Sequence, residues 1–289
     1  MNTLSKSTDG LALTPAGAFA ATGAAHASTP GAFRRTKLAP GVKLAVQNLT
    51  MCYANGHTAL RDFNLSVEAG EMVVVLGSNG SGKSTFMKCV VGINRPTQGS
   101  VNLAGRDLVK LSGEPLREAR LPLALISQNA NLVKRRSVIA NVCCGALGRH
   151  RTLATALGRV PRETVEPARA YLDEVGLLHL EKQRAGTLSG GQAQRVAVAR
   201  ALAQEPHVLL ADEPVASLDP EAADEVMRLL RRLATEDGLA VVVVLHQPDL
   251  AMRYADRMVG LRRGVMEFDQ PASEVSARQI ANLYVAEAS

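Results

Sequence analysis

Gly77-Ser78-Asn79-Gly80-Ser81-Gly82-Lys83-Ser84-Thr85 is the stretch on which the reading of this chain turns. It follows the apolar run Met72-Val73-Val74-Val75-Leu76 and opens onto Phe86-Met87-Lys88-Cys89-Val90-Val91. The run predicts a buried parallel strand, and the residues after it predict a helix. That places the spacing G-x-x-x-x-G-K-[ST] in the strand–loop–helix setting a phosphate loop requires. The glycines let the backbone curl so that successive N–H groups point at phosphate oxygens. The helix start adds partial positive charge at the same place. Lys83 is expected to reach the β- and γ-phosphates of a nucleotide, and the Ser84 hydroxyl to sit on Mg²⁺.

The 289 residues have room for one large α/β domain or a domain with an inserted subdomain. Hydrophobic residues make up 46% of the chain but aromatics only 3%, so aliphatic side chains must fill the interior. The net charge of +6 allows nucleic acid, a membrane surface or a nucleotide as partner. No RNA-binding aromatic motif accompanies it, so a solvated basic face is expected and nucleic acid is not. None of the four cysteines (Cys52, Cys89, Cys143, Cys144) makes a C-x-x-C pair, which fits a reduced, cytosolic compartment. The longest apolar run, Leu239 to Leu245, is far short of the ~20 residues needed to span a bilayer. A membrane role must therefore pass through a partner.

Residues 1–41 are rich in Ala, Gly, Thr and Ser and are expected to be a disordered tail. Ala25-His26-Ala27 imitates a signal-peptidase site, but Asp9, Pro15 and Gly17 break the pattern before it. From Val42 the pattern turns to strands, first Val42 to Leu49 and then Leu60 to Val67. Later strands are expected at Ser100 to Leu103, Leu121 to Ser127, His207 to Leu210, Leu239 to Leu245, Arg257 to Leu261 and Val265 to Phe268. Helices are expected at Ser137 to Leu147, Arg162 to Val175, Gln192 to Ala203, Pro220 to Ala234 and Ser273 to Tyr284, with a basic, loop-like stretch between Gly148 and Arg162. Strands alternating with helices imply a mainly parallel sheet, and the early strands, lacking helices between them, an antiparallel edge. Residues of about 129–187 read as an inserted helical subdomain, and 272–289 as a C-terminal helix.

Asp212-Glu213 ends a buried strand, on the edge where α/β sheets bind ligands. Asp212 suits holding Mg²⁺ through water, and Glu213 suits polarising an attacking water. The stretch Leu188-Ser189-Gly190-Gly191-Gln192 offers a second anion site at a helix start, from the Ser189 side chain and the Gly190 and Gly191 N–H groups. In isolation it also reads as an ordinary N-capped helix. Because the phosphate loop already surrounds one nucleotide's phosphates, a second site points to a nucleotide held by another subunit. Two chains would then sandwich two ATP molecules head to tail.

With these residues in order, the chain resembles the ABC-type ATPases over about 42–271. Gly77 to Thr85 matches Walker A, Leu188 to Gln192 the signature, and Asp212-Glu213 the end of Walker B. Gln128 stands at the Q-loop position, Ser217-Leu218-Asp219 resembles the D-loop, and His246 follows a strand as the switch histidine does. Tyr53 matches the aromatic that stacks on adenine. The resemblance implies a P-loop NTPase fold with an antiparallel edge subdomain and an inserted helical subdomain. It implies ATP and Mg²⁺ as cofactors, Glu213, His246 and Lys83 as catalytic groups, Ser84, Gln128 and Asp212 near the metal, and Asp219 acting across a homodimer interface.

A finer resemblance is to the ATP-binding subunits of phosphonate importers. It rests on Leu147-Gly148-Arg149-His150-Arg151-Thr152-Leu153, on Ala211 to Pro220, and on Leu245 to Ala251. Cys143-Cys144, Pro248 and the long N-terminal segment depart from that pattern. The resemblance implies a peripheral ATPase on the cytoplasmic face of the membrane. Two transmembrane permease subunits, and through them a periplasmic or surface solute-binding protein, would be its partners in uptake of phosphonate or a related oxyanion. The other readings are a component of a phosphonate-degrading complex, and a soluble ABC ATPase acting on nucleic acid or the ribosome. Known members of the last class carry two cassettes or a long coiled-coil insertion, and this chain has neither.

Overall fold

The computed structural model of the protein describes residues 38–150 and 161–284. The tail expected at 1–41 and the basic stretch expected between Gly148 and Arg162 lie largely outside those residues. So do Arg151 to Leu153 of the stretch quoted for the finer resemblance.

Strands β1 (Val42–Cys52), β2 (Thr58–Glu68) and β3 (Met72–Leu76) lead into helix α1 (Lys83–Val90). Strands β4 (Gln98–Leu103) and β5 (Arg106–Asp107), helix α2 (Gly113–Ala119) and strand β6 (Leu123–Ile126) follow. Next come α3 (Val138–Cys143), α4 (Val165–Glu174), α5 (Gly190–Leu202), β7 (Val208–Asp212) and α6 (Pro220–Thr235). The described chain ends with β8 (Ala240–Leu245), α7 (Pro248–Tyr254), β9 (Arg257–Arg262), β10 (Val265–Pro271) and α8 (Ala277–Tyr284).

A six-stranded sheet in the order β10-β9-β3-β8-β7-β6 forms the centre. All its pairings are parallel except β9 with β10. Every residue of β3 and β8 is buried, as a strand covered on both faces requires, and β-branched valine suits that environment. Alternation along the strands separates two cores. Met72, Val74, Leu76, Val241, Val243 and Leu245 face the helices α3 to α8, with Leu172, Val198 and Leu230 among their neighbours. Val73, Val75, Val242 and Val244 face α1 and a second sheet, joining Leu44, Phe63, Val101 and Phe86. The Phe63 and Phe86 rings meet there at 4.9 Å between centroids, tilted by 50°.

The early strands do not extend the parallel sheet. With β4 and β5 they make a four-stranded antiparallel sheet of their own, ordered β2-β1-β4-β5, and the antiparallel edge of the main sheet is β10. The described residues of 129–187 include α3, α4 and single turns, and these two helices pack with α5 through Val142, Ala168, Tyr171 and Ala199. Pro167 is tolerated because it occupies the first turn of α4, where an N–H has no intrahelical acceptor. The last helix begins at Ala277 rather than Ser273. Ser276 and Gln279 bond each other's N–H groups reciprocally at 3.3 and 3.0 Å, a capping box that fixes the start.

Because Val243 is fully buried at the middle of β8, Val243→Ala should cost about 2 kcal/mol. Val265→Ala, at a site 43% exposed, should stay within about 0.5 kcal/mol. Denaturant midpoints of the two variants check this; equal midpoints would show that the sheet is not the core on which folding depends.

Candidate active site

Strand register assembles the site. The pairs Leu76↔Leu245, Ala211↔Val243 and Ile126↔Ala211 align the C-terminal ends of β3, β8, β7 and β6. Gly77, His246, Asp212-Glu213 and Gln128 therefore leave the sheet along one edge, where open α/β sheets place their ligands.

The phosphate loop needs its glycines at specific points. A Cβ on Gly77 would lie 2.2 Å from the Leu261 carbonyl oxygen, and one on Gly82 would lie 2.5 Å from that of Ala59. Gly82 also has φ +110°, in the left-handed region that side chains avoid. The loop is thus pressed onto β9 and β2 at its two ends. Lys83 lies 5% exposed beneath it. Its ammonium donates to the carbonyls of Gly77 (2.7 Å) and Ser78 (2.9 Å) and to the Ser81 hydroxyl (3.4 Å). Burial pushes the lysine's pKa down, against the attraction of Glu213 and Asp212. Asn79, Gly80 and Ser84 are exposed.

Behind the loop, the Tyr53 hydroxyl lies 3.2 Å from that of Thr85 and accepts from Asn94 Nδ2 at 3.1 Å. Asn94 was not foreseen, since nothing local in the sequence marks an asparagine that holds a residue 41 positions away.

At the end of β7 the chain turns sharply. Glu213 has φ +48°, a strained value for a glutamate, and its N–H donates to the Val244 carbonyl of β8 at 3.1 Å. This turn carries the Glu213 side chain toward β8, where Oε1 lies 2.5 Å from His246 Nε2. Burial, and after it the Glu213 charge, hold the Asp212 carboxyl above the usual carboxylate range, against the pull of Lys83 and His246. The structure so brings Lys83, Asp212, Glu213 and His246 into one electrostatic cluster.

The described residues contain no group of three or more His, Cys, Asp or Glu arranged around a metal. Apart from Glu213, whose carboxylate bonds His246, the side-chain oxygen donors here include the Ser84 hydroxyl, the Asp212 carboxylate and the Gln128 amide. That set suits a cation such as Mg²⁺, which keeps several waters and takes one or two carboxylates together with substrate phosphates.

Ser189, Gly190, Gln128 and Asp219 are exposed. Ser189 caps α5: its hydroxyl accepts from the Gln192 N–H at 3.3 Å, and Gln192 Oε1 accepts from the Ser189 N–H at 3.0 Å. Asp219 caps α6 through the Ala222 N–H at 3.0 Å. A Cβ on Gly191 would sit 2.9 Å from that of Ala222, so the start of α5 packs directly on α6. These bonds are all local. A second missed residue is Gln194, 3% exposed, whose amide donates to the Ser127 carbonyl beside Gln128 at 3.2 Å. A glutamine on the buried face of an alanine- and valine-rich helix was the available signal.

A family model described as ABC transporter matches residues 60–216. The "Phosphonates import ATP-binding protein PhnC" of Shouchella clausii is 45% identical over 83% of this chain and 91% of its own length. Two solved structures are also similar. The cbiO1 protein of Clostridium perfringens, part of an ABC transporter complex, superposes with a TM-score of 0.73 at 29% identity, covering 83% of this chain and 92% of its own. A bacterial ABC transporter cassette solved as a dimer gives 0.69 at 31% identity, covering 79% and 98%.

The raised pKa of Asp212 has a stability consequence. A carboxyl whose folded pKa exceeds its unfolded value burdens the fold fully above that folded pKa; the burden shrinks as pH falls through the folded pKa and is gone below the unfolded one. Asp212→Asn should therefore raise the melting temperature at neutral pH, with the gain fading toward the acid range. A melting temperature lowered by this change at neutral pH would show that the pull of Lys83 outweighs the burial.

Proposed function

The chain belongs to the ABC transporter family, and on that premise we propose that it is the ATP-binding, ATP-hydrolysing subunit that powers uptake of phosphonate or a related oxyanion through separate membrane subunits. The observation that carries this reading is the 45% identity to a phosphonate import subunit across 83% of the chain. That span is longer than the nucleotide site alone and takes in the segment between β6 and α5, where cargo-specific partners would dock.

The chemistry follows from the cluster on the sheet edge. The loop N–H groups and the Lys83 ammonium bind the β- and γ-phosphates of ATP, and Tyr53 stacks on the adenine. Ser84, Asp212 and Gln128 would hold Mg²⁺, which would supply charge neutralisation to the phosphates. Glu213 polarises the attacking water, and His246, bonded to the same carboxylate, orients it and contacts the γ-phosphate. Ser189 and Gly190 are exposed, and with the buried Gly191 and half-buried Gln192 they form a capped helix start. They act in trans, on the γ-phosphate held by the Lys83 of a second copy, with Asp219 working across the same interface.

The described residues include no helix long and apolar enough to cross a membrane. On the reading proposed above, the protein works as a peripheral homodimer on the cytoplasmic face, against two permease subunits that receive cargo from a periplasmic or surface binding protein. Vesicles reconstituted with this chain, its permease and its binding protein should take up a radiolabelled phosphonate only with ATP on the side of this chain. Uptake of another solute class in place of the phosphonate would overturn the cargo assignment, while ATP-independent uptake would overturn the coupling.

A further inference from the structure

Helix α8 (Ala277–Tyr284) carries none of the residues assigned so far, yet it ends on the site. It is anchored by Leu283, 1% exposed in the larger core, with Ile280 packed beside it. One residue later, the Tyr284 hydroxyl donates to the carbonyl of His246 at 3.3 Å, across 38 positions of sequence. The N–H of Gly77 lies against the same phenol oxygen. The pair Leu76↔Leu245 explains how one side chain meets both, since Gly77 and His246 leave neighbouring strands side by side. A phenol is neutral at physiological pH, so its hydroxyl can accept from one group while donating to the other.

We propose that Tyr284 is a positioning residue for hydrolysis: by tying the His246 backbone to the C-terminal helix, it keeps the imidazole within bonding distance of Glu213. The carbonyl it holds lies just before Gln247-Pro248, and Pro248 contributes no N–H to that turn. The local chain thus has one donor fewer with which to fix His246, and a donor from a distant helix does so. The 2.5 Å contact between Nε2 and Oε1 leaves little tolerance, and displacement of such a group by a fraction of an ångström is costly to turnover. This inference rests on the reading of Glu213 and His246 as the hydrolytic pair.

Tyr284→Phe keeps the ring and removes only the hydroxyl. In the purified full-length chain it should lower kcat about tenfold, with KM for ATP within about twofold and the melting temperature nearly unchanged. His246→Ala, assayed alongside, separates the two layers of the claim. Unchanged kcat in Tyr284→Phe with turnover lost in His246→Ala would overturn the positioning role and leave the hydrolytic pair standing. Undiminished turnover in His246→Ala would overturn both.

Discussion

The parallel pairing of β3 with β8, unbroken from Met72↔Val241 to Leu76↔Leu245, is the constraint on which the site depends. It sets the level at which the phosphate loop and His246 leave the sheet, and β7, paired to β8 as far as Asp212↔Val244, brings in the carboxylates. A slip of one residue would move one strand by about 3.3 Å and turn its side chains to the opposite face. Burial prevents that slip. Val241 and Val243 pack among the helices while Val242 and Val244 pack toward the antiparallel sheet. Each strand is thereby fixed from both sides, and the accuracy of a 2.5 Å contact at the edge is inherited from aliphatic packing several residues away.

Against that rigid background the site itself is energetically unfavourable. An ammonium and two carboxylates share a partly buried edge, with the pKa of Lys83 lowered and that of Asp212 raised chiefly by desolvation. Glu213 is held in a left-handed backbone conformation, a strain of about 1–3 kcal/mol. The loop admits no side chain at Gly77 or Gly82 without colliding with a backbone oxygen. On the proposed function these features make sense together as preorganisation: charges and donors are fixed where phosphate oxygens and an activated water would be, and the surrounding core bears the cost.

Much of this was legible because it is written in short-range pattern. A continuous valine run announces a strand covered on both faces, glycine spacing announces the loop, and Asp212-Glu213 after an apolar strand announces an edge carboxylate pair. What escaped depends on distance or on weak local signal. Helix α2 begins Gly113-Glu114-Pro115 and buries only Ala119, so it has no apolar period to detect. Strand β5 is two residues long. The separation of the early strands into their own sheet follows from pairing of β1 with both β2 and β4, which alternation alone cannot reveal. Asn94 behind Tyr53 and Tyr284 behind His246 act across 41 and 38 positions. Only the start of α8 was recoverable, from the spacing Ser276-x-x-Gln279.

The central claim is that the Glu213 carboxylate, turned onto His246 at the sheet edge, activates the water that hydrolyses ATP in a closed pair of chains. Glu213→Gln keeps the shape of the site and removes the base, so turnover and oligomeric state measured on one sample test it directly. The expected result is hydrolysis reduced about 10²–10⁴-fold, nucleotide binding retained, and an ATP-dependent dimer accumulating in size-exclusion chromatography with light scattering. Hydrolysis at nearly the wild-type rate would contradict the account.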